Sequence, residues 1–264
     1  MKIKIYFLFL TIIITSCKKN LHQESQKIHK QQVESLMDTL SITNKLNGID
    51  SEFIGAVSFN LRKPNFIILH HTALGSITNT IKIFTSPKCE VSIHYVIAED
   101  GKIIQMLNDY FRAWHAGNGS WGKSTDMNSN SIGIELDNDG RETFTGMQIK
   151  SLLSLLTKLK EKYTIPTQNI IAHSDISPGR KNDPSALFPW KTLAENGFGV
   201  FIDSIPKVAP KDFNAEMGLK IIGYNTKHIG NAVKAFKLHY IQTEVDTILN
   251  RKTINAIYNI YLKQ

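Results

Sequence analysis

The run Phe66-Ile67-Ile68-Leu69 constrains the fold more than any other stretch. Four consecutive apolar residues leave no face for water, so a strand here is buried on both sides. It delivers two histidines, His70 and His71, at its end. Neighbouring side chains of an extended chain point to opposite faces, so only one of the two can serve a given site.

The segments around this strand alternate in period. Ser76 to Phe84 reads as a short helix, and Val91 to Met106 as a hairpin closed by Glu99-Asp100-Gly101-Lys102. The first arm of that hairpin sets Ile93, Tyr95 and Ile97 on one face, Tyr95 as core, and His94 with Val96 on the other. Phe111 to Gly122 is a loop. Ser131-Ile132-Gly133-Ile134-Glu135-Leu136 resumes a strand, with Gly133 and Glu135 sharing a face. A small residue beside a carboxylate leaves room for something to approach. Thr145 to Tyr163 is amphipathic, with Leu152, Leu155, Leu156 and Leu159 at helical spacing. Ile170-Ile171 ends another buried strand. From Ala172 to Pro184 the chain then concentrates imidazole, ammonium and carboxylate in a loop that Pro178, Gly179 and Pro184 keep from becoming helix or strand.

Beyond about Ile205 the pattern turns helical: Phe213 to Ile222, Ile229 to Tyr240 and Asn250 to Leu262. Alternating strands and helices followed by an all-helical piece argue for two domains, residues 51–204 and 205–264.

The N-terminus differs. Lys2 and Lys4 precede an apolar core from Ile5 to Ile14 that is too short to span a bilayer. Ile14-Thr15-Ser16-Cys17 has the form of a bacterial lipobox, which makes residues 1–16 a signal peptide and Cys17 a lipidated N-terminus. Residues 17–50 read as a polar tether with one weak helix around Val33, Leu36, Met37 and Leu40. With Cys17 so used, Cys89 has no disulfide partner and reads as a small buried hydrophobe. The formal charge is +8, and residues 205–264 hold nine Lys/Arg against four Asp/Glu. An exported lipoprotein rarely meets nucleic acid, so an anionic envelope polymer is the more natural partner of that tail.

Zinc catalysis needs three protein ligands and an open position, and two histidines with a carboxylate are an established set. His70, His173 and Asp183 could supply them. A hydrolase further needs a base for water and a cation for the oxyanion. Glu135 on its cleared face suits the first role and Lys181 the second. The bland readings are a strand-end histidine, a polar turn and a surface salt bridge.

Five motifs occur in order: Ile68-Leu69-His70-His71-Thr72-Ala73, Ser92-Ile93-His94-Tyr95-Val96-Ile97, Ala113-Trp114-His115-Ala116-Gly117, Ser131-Ile132-Gly133-Ile134-Glu135-Leu136, and the His173 loop through Phe188-Pro189-Trp190. From Asn65 to Trp190 the chain resembles the zinc-dependent N-acetylmuramoyl-L-alanine amidases of the second amidase family, whose fold is shared with phage lysozyme-type amidases and peptidoglycan recognition proteins. The resemblance implies an α/β fold with a mixed central sheet flanked by helices and a zinc groove on one face. It implies cleavage of the amide between N-acetylmuramic acid and L-alanine in peptidoglycan or its fragments. Carried over, the Zn2+ ligands are His70, His173 and Asp183, with Glu135 and Lys181 catalytic and His94 and His115 as candidate substrate-groove residues. Asp183 stands where some relatives use Cys, as in the outer-membrane lipoprotein branch. Two departures are Ser185, where the family often has Gly, and Ile93, where phage-type members carry a catalytic Tyr. The C-terminal helices resemble a three-helix peptidoglycan-binding module. The expected protein is thus a monomeric envelope lipoprotein that meets muropeptide and membrane, through its anchor, but no nucleic acid. Two rivals are a non-catalytic peptidoglycan receptor on the same fold and a zinc peptidase acting on the stem peptide.

Overall fold

A computed structural model of the chain describes residues 22–41, 61, 63–202 and 207–264. The signal segment, Cys17 and the boundary near 205 lie outside the described residues. The chain divides into two units, Met1–Ala56 and Val57–Gln264. In the first, α1 (Gln23–Ser41) spans the stretch read as a weak helix around Val33 to Leu40, with Leu36 and Met37 exposed.

The second unit is built on five strands: β1 (Phe66–His71), β2 (Tyr95–Ile97), β3 (Ile103–Gln105), β4 (Ser131–Leu136) and β5 (Ile170–Ala172). Their order is β3-β2-β4-β1-β5. β1 runs parallel to both β4 and β5, β2 runs parallel to β4, and β3 closes the hairpin antiparallel to β2. The sheet is therefore mixed, as the resemblance implies, and β1 lies inside it between β4 and β5, buried along Ile67, Ile68 and Leu69.

Its two faces are covered differently. Ile67, Leu69, Ile132, Ile134, Leu136, Tyr95 and Ile97 pack on Leu152, Leu155, Leu156 and Leu159 of a long helix, α4 (Gly146–Tyr163). That helix starts where Thr145 accepts from the Gln148 amide at 3.1 Å while Gln148 Oε1 accepts from the Thr145 amide at 3.1 Å. This reciprocal cap satisfies two otherwise orphaned donors. Two short helices precede it, α2 (Ile77–Phe84) and α3 (Met127–Asn130). On the opposite face Ile68 and Ile171 join Met127, Ile176 and the C-terminal helices α7 (Ala215–Ile222), α8 (Ile229–Tyr240) and α9 (Arg251–Tyr261). Two further short helices, α5 (His173–Ile176) and α6 (Trp190–Glu195), lie between β5 and α7.

Three expectations are corrected here. Cys89 is exposed, at the end of a short 3-10 turn, Pro87–Cys89, that sits on the surface. The stretch after β5 is not all loop: α5 forms one helical turn, because the Asp175 carboxylate accepts from the Ala172 amide at 2.8 Å and Pro178 comes too late to stop it. Ile93 does not share the face of Tyr95 and Ile97. Pairing of β2 begins only at Tyr95, and Ile93 turns to the side of Gly133.

Candidate metal centre

In register, Leu69 of β1 lies beside Ala172 of β5, so the residues that follow, His70 on β1 and His173 at the start of α5, emerge at the same end of the sheet. The ends of adjacent parallel strands are where such folds place functional groups. Asp183 is returned to them by its own loop, whose carbonyl accepts from the Ser174 amide at 2.9 Å. Three donor atoms then converge. His70 Nδ1 is 2.9 Å from His173 Nδ1 and 3.2 Å from Asp183 Oδ2, and His173 Nδ1 is 2.9 Å from Asp183 Oδ2. Bonds of about 2.0 Å to a tetrahedral ion would set such atoms roughly 3.3 Å apart. The donor chemistry and spacing therefore fit zinc. Among the described residues, these three form a group whose ligand atoms all lie within 4.8 Å of one another.

The surroundings hold each group in place. Asp183 is largely buried, which alone would raise its pKa. Hydrogen bonds from His173 and His70 outweigh that and hold its carboxyl well below the usual range. Burial lowers the His70 pKa to about 4, with the neighbouring His173 adding to the effect. Both directions favour the metal-binding forms, a carboxylate and a neutral imidazole. His173 Nε2 donates to the Ala116 carbonyl at 3.3 Å, and the Arg180 guanidinium donates to the same oxygen at 2.7 Å.

His71, on the opposite side of the strand from His70, does not join the three donors. Its Nδ1 accepts from the Ser185 amide at 3.1 Å, which secures the chain just after Asp183. The backbone of Ser185 makes this contact, so it does not depend on the serine side chain.

Glu135 pairs in register with His70 on the adjacent strand and faces the same side. Burial pushes its pKa well above the ordinary carboxylate value, the Asp183 charge adds to the rise, and Lys181 opposes it. Among the described residues its Oε2 has no hydrogen-bond partner. A buried carboxyl with an unused oxygen beside a metal-type cluster is equipped to exchange a proton with something that arrives from outside. Lys181 precedes Asp183 by two residues and acts electrostatically on both Glu135 and His70.

The room over Gly133 is filled by the chain itself. A Cβ on Gly133 would lie 2.6 Å from the His115 ring and 2.5 Å from Ile93. His115 Nδ1 is 3.0 Å from His70 Nε2, and its Nε2 is 3.3 Å from Ser131 Oγ. His94 is fully buried, with Nδ1 accepting from the Gly133 amide at 3.0 Å and Nε2 donating to the Phe111 carbonyl at 3.0 Å. Both its nitrogens are committed to backbone.

Sequence reasoning missed one buried network behind His173. Asp175 accepts from Tyr224 at 2.5 Å and from His239 at 2.7 Å, so the C-terminal segment grips the turn that begins at His173. No local spacing announces it, because the partners lie 49 and 64 residues away.

Comparison with known proteins points the same way. A family profile described as N-acetylmuramoyl-L-alanine amidase matches residues 60–186. The N-acetylmuramoyl-L-alanine amidase AmiD of Escherichia coli is 35% identical over 154 residues, covering 52% of this chain and 55% of that protein. The 1,6-anhydro-N-acetylmuramyl-L-alanine amidase AmpD of Salmonella typhimurium is 30% identical over 145 residues, 48% of this chain and 78% of that protein. The chain spans about half the length of the first curated relatives it matches. A solved complex of E. coli AmiD with anhydro-N-acetylmuramic acid-L-Ala-D-gamma-Glu-L-Lys superposes with a TM-score of 0.69 at 25% identity, covering 83% of this chain and 96% of that one.

Proposed function

This chain belongs to the N-acetylmuramoyl-L-alanine amidase family, and on that premise we propose that it hydrolyses the amide between N-acetylmuramic acid and L-alanine in peptidoglycan fragments. The carrying observation is the convergence of His70 Nδ1, His173 Nδ1 and Asp183 Oδ2 beside an unpartnered Glu135 oxygen. These three residues would hold Zn2+, which supplies Lewis acidity and makes water more acidic when bound. Glu135 takes the proton of the attacking water and returns it to the alanine nitrogen as the C–N bond breaks. Lys181 offers its positive charge to the oxyanion that forms on the carbonyl carbon. The products are a muramyl carboxylate and a stem peptide with a free amino terminus. Related proteins named or solved with anhydromuramyl ligands support a soluble muropeptide as substrate. Retention of a full ligand set with Glu135 favours catalysis over a receptor role.

Dialysis of the full chain against a chelator should abolish release of stem peptide, and added zinc should restore it. Undiminished release from metal-free protein would overturn the reading. We further propose that residues 1–16 direct export and that lipid on Cys17 anchors the protein in the outer membrane, with residues 17–50 as tether. Cys17→Ser should move the protein out of the membrane fraction, and lipid labelling that persists in the variant would refute the anchor.

A further inference from the structure

We propose that His115 is a positioning residue for the metal, setting the tautomer of His70 through a one-way chain of hydrogen bonds that ends at Ser131 and the Met127 carbonyl. The inference rests on the zinc reading above and adds to it a role outside the three ligands.

The chain of donors is fixed from its far end. Ser131 Oγ lies 2.5 Å from the Met127 carbonyl, which can only accept, so the single hydroxyl proton points there. The Ser131 oxygen is then an acceptor for His115 Nε2 at 3.3 Å. A neutral His115 with its proton on Nε2 has a bare Nδ1, and that atom faces His70 Nε2 at 3.0 Å. His70 must therefore donate from Nε2, which leaves its Nδ1 bare. That is the nitrogen directed at His173 and Asp183.

The ring is held by more than these bonds. Asn128 Oδ1 accepts from the His115 amide at 3.0 Å and from the Ala116 amide at 2.8 Å, which fixes the backbone of the loop. Gly133 leaves the space the ring occupies, since a Cβ there would come within 2.6 Å of its Cγ and Nδ1. Ser131, Gly133 and Glu135 alternate on one face of β4, so a single strand orients His115, makes room for it and presents the carboxyl. Ligand histidines commonly donate their second N–H to such a partner, and losing the partner typically costs metal affinity. A substrate-groove role for His115 would instead touch affinity for muropeptide.

The test measures zinc affinity of the full chain by competition with a chromophoric chelator, alongside imidazole 15N NMR of the zinc-free protein. His115→Phe should weaken zinc binding by about 10- to 100-fold, and Gly133→Ala should weaken it in the same direction by displacing the ring. His115→Asn, whose amide oxygen takes the place of Nδ1, should recover most of the affinity. In the zinc-free wild type, His70 should carry its proton on Nε2. The proposal is overturned if His115→Phe, still folded by thermal unfolding, binds zinc like wild type and only raises KM. It is equally overturned if the NMR places the His70 proton on Nδ1, a result that needs no variant to fold. A wild-type chain that binds no zinc removes the reading beneath it, which the same titration reports separately.

Discussion

Glu135 gains its chemistry from placement. A glutamate in the middle of a strand is ordinarily a solvated or salt-bridged group, but here burial and the Asp183 charge raise its pKa. A base works only as the carboxylate, so activity should fall as pH drops through the Glu135 pKa, giving the rate profile an acidic limb. Glu135→Gln should flatten that limb and cost on the order of a hundredfold or more in turnover. Lys181→Met should cost a similar factor by removing the positive charge that would face the oxyanion. Zinc content measured beside turnover separates these residues from ligands, and near-normal activity of either variant would remove it from the mechanism. The proposed ligands His70 and His173 are legible because each follows a buried apolar run, and Lys181 and Asp183 because they crowd one loop marked by proline and glycine. Those that hold them are not. His71 serves through the amide of Ser185, 114 residues away, and His115 through His70, 45 residues away, distances at which a sequence pattern says nothing.

At the scale of elements, apolar patterning located β1, β4 and α4 to within two residues, through a continuous run, an alternation and a helical stripe respectively. It failed where a cap or a turn decided the outcome, as at α5, where the side chain of Asp175 closes a helical turn inside a loop rich in proline and glycine. A second buried carboxylate ties the hairpin's following loop to α4: Asp109 accepts from Tyr95 and Tyr163, both at 2.6 Å, and from Lys162 at 3.1 Å. Burial opposes its charge, but these donors hold its pKa below the usual value. A depressed folded pKa contributes stability that is fully present above the unfolded value, about 3.9, and is lost as pH falls through the folded one. Unfolding free energy measured against pH should therefore drop at the acid end in wild type. Asp109→Asn should weaken that pH dependence, leaving the part that Asp183 and the other depressed carboxyls contribute, while being less stable at neutral pH. An unchanged acid slope in the variant would show that the depressed pKa resides elsewhere.

For the whole molecule, the composition shift near residue 205 marks where helices begin, but it does not say which core they complete. Apolar stripes on α7, α8 and α9 look alike whether they pack among themselves or on a sheet. In the structure they cover the face of Ile68, Ile171 and Ile176, and Tyr224 and His239 satisfy Asp175. Removing residues 207–264 would expose that face and leave a buried carboxylate without two donors, losses of about 1.5–3 kcal/mol for each hydrogen bond to the charged group before any apolar area is counted. The trimmed chain should unfold at lower temperature and hold zinc less tightly, even though every proposed ligand and catalytic residue remains. Unchanged thermal unfolding and zinc affinity would show instead that the helices are a separable attachment. The account as a whole stands or falls on which bond is cut. The zinc-loaded full chain should be incubated with an anhydromuramyl peptide and the products identified by mass. The predicted result is an intact stem peptide beginning at L-alanine together with the unmodified sugar acid, while fragments cut within the peptide, or no cleavage at all, would contradict it.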